Sequence, residues 1–340
     1  MKPLIKPIFL FVFAGTILST WVTAGFFYYQ ASHSAGEDTQ SIMVIIPSGA
    51  TLKQISTELK DRNVILSASS FRLLANIRKK QTQIQIGEYE LNQTMLPMDI
   101  LVAITSGKTI LHPVTIPEGY RITEIAELLA EKNLANKDKF IKESRNIEWI
   151  DSLNIPSDSL EGYLFPETYH FSKQTSEHKI IHTMVDAFKK RVINKELLDR
   201  AQRTGLSLHE VITLASLIEK ETGLNEERKH ISSVFHNRLR KNMRLQTDPT
   251  VIYSINEFNG NIRKKDLNID SPYNTYRYKG LPPGPIASPG LKSITAALNP
   301  IKTNHLYFVS RQDGSHHFSS SLEEHNRAVR RYQLKKINKR

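Results

Sequence analysis

The sequence predicts an α+β protein, with a single N-terminal transmembrane helix, a pair of β-α-α-β repeats and a mixed α/β domain at the C-terminal end. Three observations carry this. Val44-Ile45-Ile46-Pro47-Ser48-Gly49 returns as Val114-Thr115-Ile116-Pro117-Glu118-Gly119, an offset of 70 residues. Ile8 to Tyr29 holds no charged side chain over 22 residues. From Lys195 onward the composition changes, ending in a long Pro-, Gly-, Asn- and Tyr-rich stretch from Gln246 to Gly290.

The uncharged stretch is long enough to cross the ~30 Å hydrocarbon layer as a helix. Lys2 and Lys6 precede it, whereas Glu37 and Asp38 follow it and the next lysine is Lys53. The positive-inside rule therefore places residues 1–7 in the cytoplasm, 8–29 in the membrane and the rest outside. Trp21 and Phe26 to Tyr29 suit the outer interface. A cleaved signal peptide is the alternative, with Val22-Thr23-Ala24 as the cleavage site, but the apolar run continues beyond it.

The repeat persists past the turn: Ile55 matches Ile125, Leu59 matches Leu129, and Asn63 matches Asn133. Each copy reads as a strand, a Pro-x-Gly turn and an amphipathic helix, with Thr51 and Thr123 as expected N-caps. Second helices are expected at Ser69 to Lys79 and Lys137 to Ser144. Strands follow at Ile86 to Leu91 and Tyr163 to Phe171, then helices at Pro97 to Thr105 and Glu177 to Val192. Beyond Lys195 the pattern predicts helices over Ser207 to Thr222, closed by Gly223, and Glu226 to Lys241. A strand at Leu306 to Val309 and a basic helix at Leu322 to Lys336 complete the chain.

The 340 residues carry a formal net charge of +12, which suits an anionic neighbour. No zinc-ligand spacing, RNP-like motif or basic-region heptad supports nucleic acid. With no cysteine, disulfides, thiol nucleophiles and Cys-ligated zinc are excluded. His305, His316, His317 and His325 match no zinc spacing, so no metal is expected. The run from Arg327 to Arg340 suits a solvated basic face near anionic headgroups.

At about 100° per residue, Glu219 lies roughly 20° from Leu208, within the apolar arc of Val211, Ile212, Ala215 and Ile218. Glu221 lies about 160° from Glu219, so the two cannot pair. A carboxyl facing apolar surroundings is expected to hold its proton more tightly, as a general acid requires. The alternative is a buried glutamate in an ion pair with one of the chain's arginines. Downstream, Arg244 to Thr250, Ser271 to Tyr276 and Gly280 to Ile286 supply amides, hydroxyls and aromatic rings, the groups that bind sugars; ordinary loops with satisfied side chains remain the alternative.

These segments resemble a known family. Ala215-Ser216-Leu217-Ile218-Glu219-Lys220-Glu221-Thr222 is similar to the catalytic helix of the MltG, or YceG-like, endolytic murein transglycosylases. Phe235 to Leu239, Met243 to Tyr253, Tyr273 to Tyr276, Gly280 to Gly290 and Leu160 to Tyr169 resemble further motifs of that family, as do His316-x-Phe318 and His325-Asn326. The resemblance implies LysM-like modules at 42–110 and 111–194 and a catalytic domain at 195–340. It implies a lyase of the inner membrane that cleaves nascent peptidoglycan glycan strands without metal or cofactor, beside peptidoglycan synthases (penicillin-binding proteins). Glu219 is implied as the catalytic acid and base, and Gln246, Asp248, Tyr273 and Asn274 as groove residues. Two rivals stand beside it. One is a non-catalytic glycan-binding scaffold that recruits synthases. The other is a pyridoxal-dependent lyase, a label carried by some relatives, which export from the cytoplasm disfavours.

Overall fold

The computed structural model describes residues 5–255 and 258–334, with side chains from residue 13 onward. The chain begins with α1 (Ile5–Ser32), a continuous helix covering the expected span. Among the described residues, no helix is long and apolar enough to cross a membrane. Lys2 and the side chains of residues 5–12, which open the expected span, lie outside those described.

The first repeat follows as β1 (Ile42–Ile46), α2 (Leu52–Asp61), α3 (Ala68–Ile77), β2 (Gly87–Leu91) and α4 (Pro97–Ser106). Alternation along β1 turns Val44 and Ile46 inward, and β1 pairs antiparallel with β2 from Ile42–Leu91 to Ile46–Gly87. Ile55, Leu59, Phe71, Tyr89, Leu91 and Ile104 close one core over this hairpin. Thr51 caps α2 as expected, in a capping box with Gln54.

The second copy runs β3 (His112–Thr115), α5 (Ile122–Glu131), α6 (Lys137–Glu143), α7 (Ile147–Leu153), β4 (Thr168–Phe171) and α8 (Glu177–Val192), with β3 paired to β4. The duplication reaches backbone detail. Gly49 and Gly119 have φ of 77° and 78°, and Asn63 and Asn133 have φ of 56° and 54°. The N–H groups of Val64 and Leu134 each close their helix onto the carbonyls of Leu59 and Leu129 at 2.9 Å. Two expectations fail here. Thr123 is not the cap of α5, because Arg121 occupies that position and Glu124 bonds back to the Arg121 N–H at 2.7 Å. The expected strand from Tyr163 shrinks to β4, because Gly162 at φ 83° turns the chain and Pro166 offers no N–H to a ladder. The helix α7 has no counterpart in the expected pattern.

The C-terminal part comprises α9 (Lys195–Thr204), α10 (Leu208–Glu221), α11 (Asn225–Arg240), α12 (Asp248–Tyr253), α13 (Leu291–Leu298), the hairpin β5 (Tyr307–Ser310) and β6 (His316–Ser319), and α14 (Leu322–Val329). A π-helical turn, Arg330–Leu334, follows α14; the remainder of the expected basic helix lies outside the described residues. α10 starts in a Ser207–Glu210 capping box. It is not ended by a left-handed Gly223. Thr222 turns extended (φ −147°), and its hydroxyl takes the Leu224 N–H at 3.0 Å.

The chain divides into two compact units. One takes the chain up to His112 together with His170–Gln174; the other takes Pro113–Tyr169 and Thr175–Arg340. Most of the second repeat therefore shares a unit with α10, and that places its Pro-Glu-Gly turn at the site described next.

Candidate active site

α10 is buried along nearly its whole length, with Val211, Ile212, Leu214, Ala215, Leu217 and Ile218 fully enclosed. Glu219 shares that inward side, as its angular position requires, and its side chain is only 6 % exposed. Its surroundings are not simply apolar. Arg228, in the first turn of α11 and equally buried, donates from Nη2 to Glu219 Oε1 at 3.0 Å. The Gly290 N–H, at the start of α13, donates to Glu219 Oε2 at 3.0 Å. Arg228 is itself fixed by Ser293 Oγ, 3.0 Å from Nε, and by Asn225 Oδ1 on Nη1. The expected apolar setting is thus corrected in favour of the alternative, a buried ion pair: an arginine delivered by the tight turn between α10 and α11 pairs with the carboxyl.

The loop ahead of α13 lies along α10. His209 Nε2 is 2.7 Å from the Pro283 carbonyl, the Ile286 N–H donates to Ser216 Oγ at 3.1 Å, and Gly290 reaches Glu219. A rigid run of prolines and glycines therefore carries the backbone donor to the carboxylate. The turn at Gly119 is tied to the same loop. Gly119 N–H donates to Ser288 O and Ser288 N–H to Tyr120 O, both at 2.8 Å. Gly119 approaches the helix so closely that a Cβ there would stand 3.7 Å from Glu219 Cγ.

Glu221 points away from Glu219, as predicted, and meets a different neighbourhood. It accepts a hydrogen bond from Thr247 Oγ1. Burial pushes its carboxyl up to about 7, aided by the charge of Asp248 and opposed by the Thr247 hydroxyl. Glu161, also buried, is likewise pushed up to about 7 by burial, against the Ile122 N–H, Arg121 and the Tyr253 hydroxyl. A folded-state value above the unfolded one means the native protein binds more protons between about pH 4.5 and pH 7. Stability contributed by these groups therefore falls as pH rises through that window and levels off above it. Glu221→Gln keeps an acceptor for Thr247, so it is expected to raise the melting temperature at pH 8 and to change it little at pH 5. A thermal melt series across pH checks this.

The residues expected downstream are only partly gathered. Gln246 is exposed, takes a left-handed φ of 50°, and accepts from Arg238 Nη1 at 3.3 Å. Asp248, exposed at the start of α12, accepts the Tyr276 hydroxyl at 2.6 Å. Tyr273 packs its ring on Tyr253 at 4.8 Å between centroids, and its hydroxyl lies beside Gly284. Asn274 is 0 % exposed; its amide is spent on the carbonyls of Leu267 and Ile269 at 3.0 and 2.8 Å. No hydrogen bond among the described residues joins these four to Glu219. The four histidines each take a different partner: His316 pairs with Glu227 at 2.7 Å, His305 and His325 stack on Phe318 and Tyr307, and His317 lies by Tyr332. Among the described residues, no group of three or more His, Cys, Asp or Glu is placed to hold a metal.

Comparison with known proteins settles the family. The model of the YceG-like family matches residues 44–331. The chain belongs to the YceG-like family. It is 37% identical over 308 residues to a protein of Bacillus subtilis (strain 168) named endolytic murein transglycosylase, covering 86% of this chain and 85% of that one. It is 32% identical over 329 residues to the endolytic murein transglycosylase of Streptococcus pneumoniae serotype 2, covering 87% of this chain and 59% of that longer relative. A crystal structure of a YceG-like protein from Listeria monocytogenes is similar in fold, with a TM-score of 0.59 and 38% identity over 85% of this chain and 99% of that one. Arg228 is the neighbour of Glu219 that no periodicity or motif selects. Arg228 sits nine residues after Glu219, in the first turn of the next helix, and that spacing is its only signal in the sequence.

Proposed function

We propose that this YceG-like chain is a lytic transglycosylase of peptidoglycan, a lyase that cuts glycan strands internally. What supports it is the inward carboxylate of Glu219, held at both oxygens by Arg228 and the Gly290 N–H, in a chain whose curated relatives are named for this activity.

Glu219 is the proton carrier. In its acid form it protonates the oxygen linking N-acetylmuramic acid to N-acetylglucosamine. The C1–O4 bond breaks with its electron pair passing to O4, and the neighbouring acetamido oxygen shares the charge at C1. Glu219, now a carboxylate, takes the proton of the C6 hydroxyl as O6 bonds to C1. The products are a 1,6-anhydro-N-acetylmuramic end and a free 4-hydroxyl, and Glu219 regains its proton. The attacking hydroxyl belongs to the same sugar, so attack is intramolecular and gains from a geometry already in place. One carboxylate serves both steps, where hydrolysing glycosidases use two. Exposed Gln246 and Asp248 and the half-buried ring of Tyr273 contact the strand. Asn274 acts by shaping the loop that presents them.

α1 anchors the protein in the inner membrane, with the catalytic unit on the periplasmic side. The uncharged stretch Ile8 to Tyr29 with Lys2 and Lys6 ahead of it supports this, as do the exposed side chains of Phe13, Ile17, Leu18, Trp21, Val22 and Phe26. Anchored there, the enzyme meets nascent strands beside the synthases that make them and ends their elongation. Mass spectrometry of products from purified polymeric glycan tests the reading. Anhydro ends are expected; reducing ends, or no cleavage at all, would overturn it.

A further inference from the structure

The repeat leaves one difference unexplained. The turn Pro47-Ser48-Gly49 of the first copy becomes Pro117-Glu118-Gly119 in the second, so a carboxylate stands where the first copy has an exposed serine. In the second copy that turn is bound to the loop that delivers Gly290, by the paired bonds of Gly119 and Ser288. Glu118 and Glu219 both border Gly290. Glu219 accepts its N–H, and a Cβ placed on Gly290 would fall 1.9 Å from Glu118 Oε1. The Glu118 carboxylate therefore occupies the space directly over the Gly290 Cα, and any side chain there would displace it. Unlike Glu219, Glu118 accepts no hydrogen bond among the described residues, and its carboxylate is only partly buried.

We propose that Glu118 is the charge partner of Glu219: the two carboxylates and the Arg228 guanidinium form one cluster that retains a single exchangeable proton, and Glu118 is what keeps that proton available for the leaving sugar. This rests on Glu219 being the proton carrier. An arginine alone beside Glu219 favours the ionised form, which cannot protonate a glycosidic oxygen. A second negative charge opposes that pull, since two adjacent carboxylates resist ionising together. The electrostatics agree in direction. Partial burial and the charge of Glu219 push the Glu118 carboxyl upward, against Arg228 and Lys292. The other charge facing this turn is Lys220 of α10, whose Nζ donates to the Gly119 carbonyl at 3.2 Å. Glu118 thus acts through Glu219 as a positioning residue, and the proton it retains belongs to the cluster.

The test is the pH profile of kcat/KM on polymeric glycan for the full chain and for Glu118→Gln, which keeps the size and removes the charge. The alkaline limb is expected to move to lower pH by about one unit or more, because the proton leaves the neutralised cluster more readily. At pH 7 cleavage falls at least about tenfold and recovers as the pH is lowered. Glu118→Asp, with the charge kept on a shorter arm, is expected to hold most of the limb. An unmoved limb in the Gln variant, whether activity is unchanged or lowered equally at every pH, would overturn the proposal. The parent reading fails separately, if the unaltered protein makes no anhydro ends.

Discussion

Glu219→Gln is expected to reduce formation of anhydro ends by about 10³-fold or more, because one side chain supplies both the acid and the base, each worth about 10²–10⁴-fold. Far-ultraviolet circular dichroism is expected to stay native, with a lower melting temperature. Glutamine still presents an oxygen to Arg228 but lacks the charge opposite a guanidinium that is itself buried. A charged hydrogen bond of this kind contributes about 1.5–3 kcal/mol. The nearby Glu118 carboxylate, which faces the same guanidinium, offsets part of that loss. Digestion of polymeric glycan with product analysis, alongside a thermal melt, separates the two effects. A variant that still produces anhydro ends at the parent rate would remove Glu219 from the mechanism.

The periodic parts of this structure are legible in the sequence. The apolar stripe of α10, the capping box at Ser207 and the burial of Glu219 follow from helical geometry and side-chain chemistry alone. So do the twin strands and the twin left-handed asparagines, because repeated residues meet repeated steric demands. What escapes are contacts between segments far apart in sequence. The ion pair with Arg228 depends on how sharply Thr222 turns the chain, and nothing in a periodicity count selects one arginine among many. The Gly290 donor depends on a proline-rich loop running along α10 for which no pattern exists. Glu118 is visible as a difference between the two copies, yet its meaning needs the turn to be placed against α10. Asn274 shows the limit in another way: an amide in a sugar-like loop suggests recognition, and nothing in the local pattern announces that it is buried with its amide donating to two carbonyls.

The second large effect is expected at Arg228. Arg228→Met retains much of the apolar volume and removes the charge, the bond to Glu219 and the bonds to Ser293 and Asn225. Breaking a buried pair from one side costs about 3–5 kcal/mol, since the remaining charge is left without a partner. Here two carboxylates would remain side by side, and one of them is expected to take up a proton to stay buried. Stability of the variant should therefore improve as the pH falls, the reverse of what a paired, ionised carboxylate contributes. Combining Arg228→Met with Glu219→Gln removes both charges. The double variant is expected to be more stable than Arg228→Met alone, giving a coupling of about 1–3 kcal/mol in a double-mutant cycle measured by denaturant unfolding. Simple additivity of the two substitutions would mean that the pair contributes no energy of its own. Activity separates from stability in the same set. Arg228→Met leaves Glu219 in place as a proton carrier without its positive partner, so it should retain measurable cleavage, above that of Glu219→Gln, when assayed below its melting temperature.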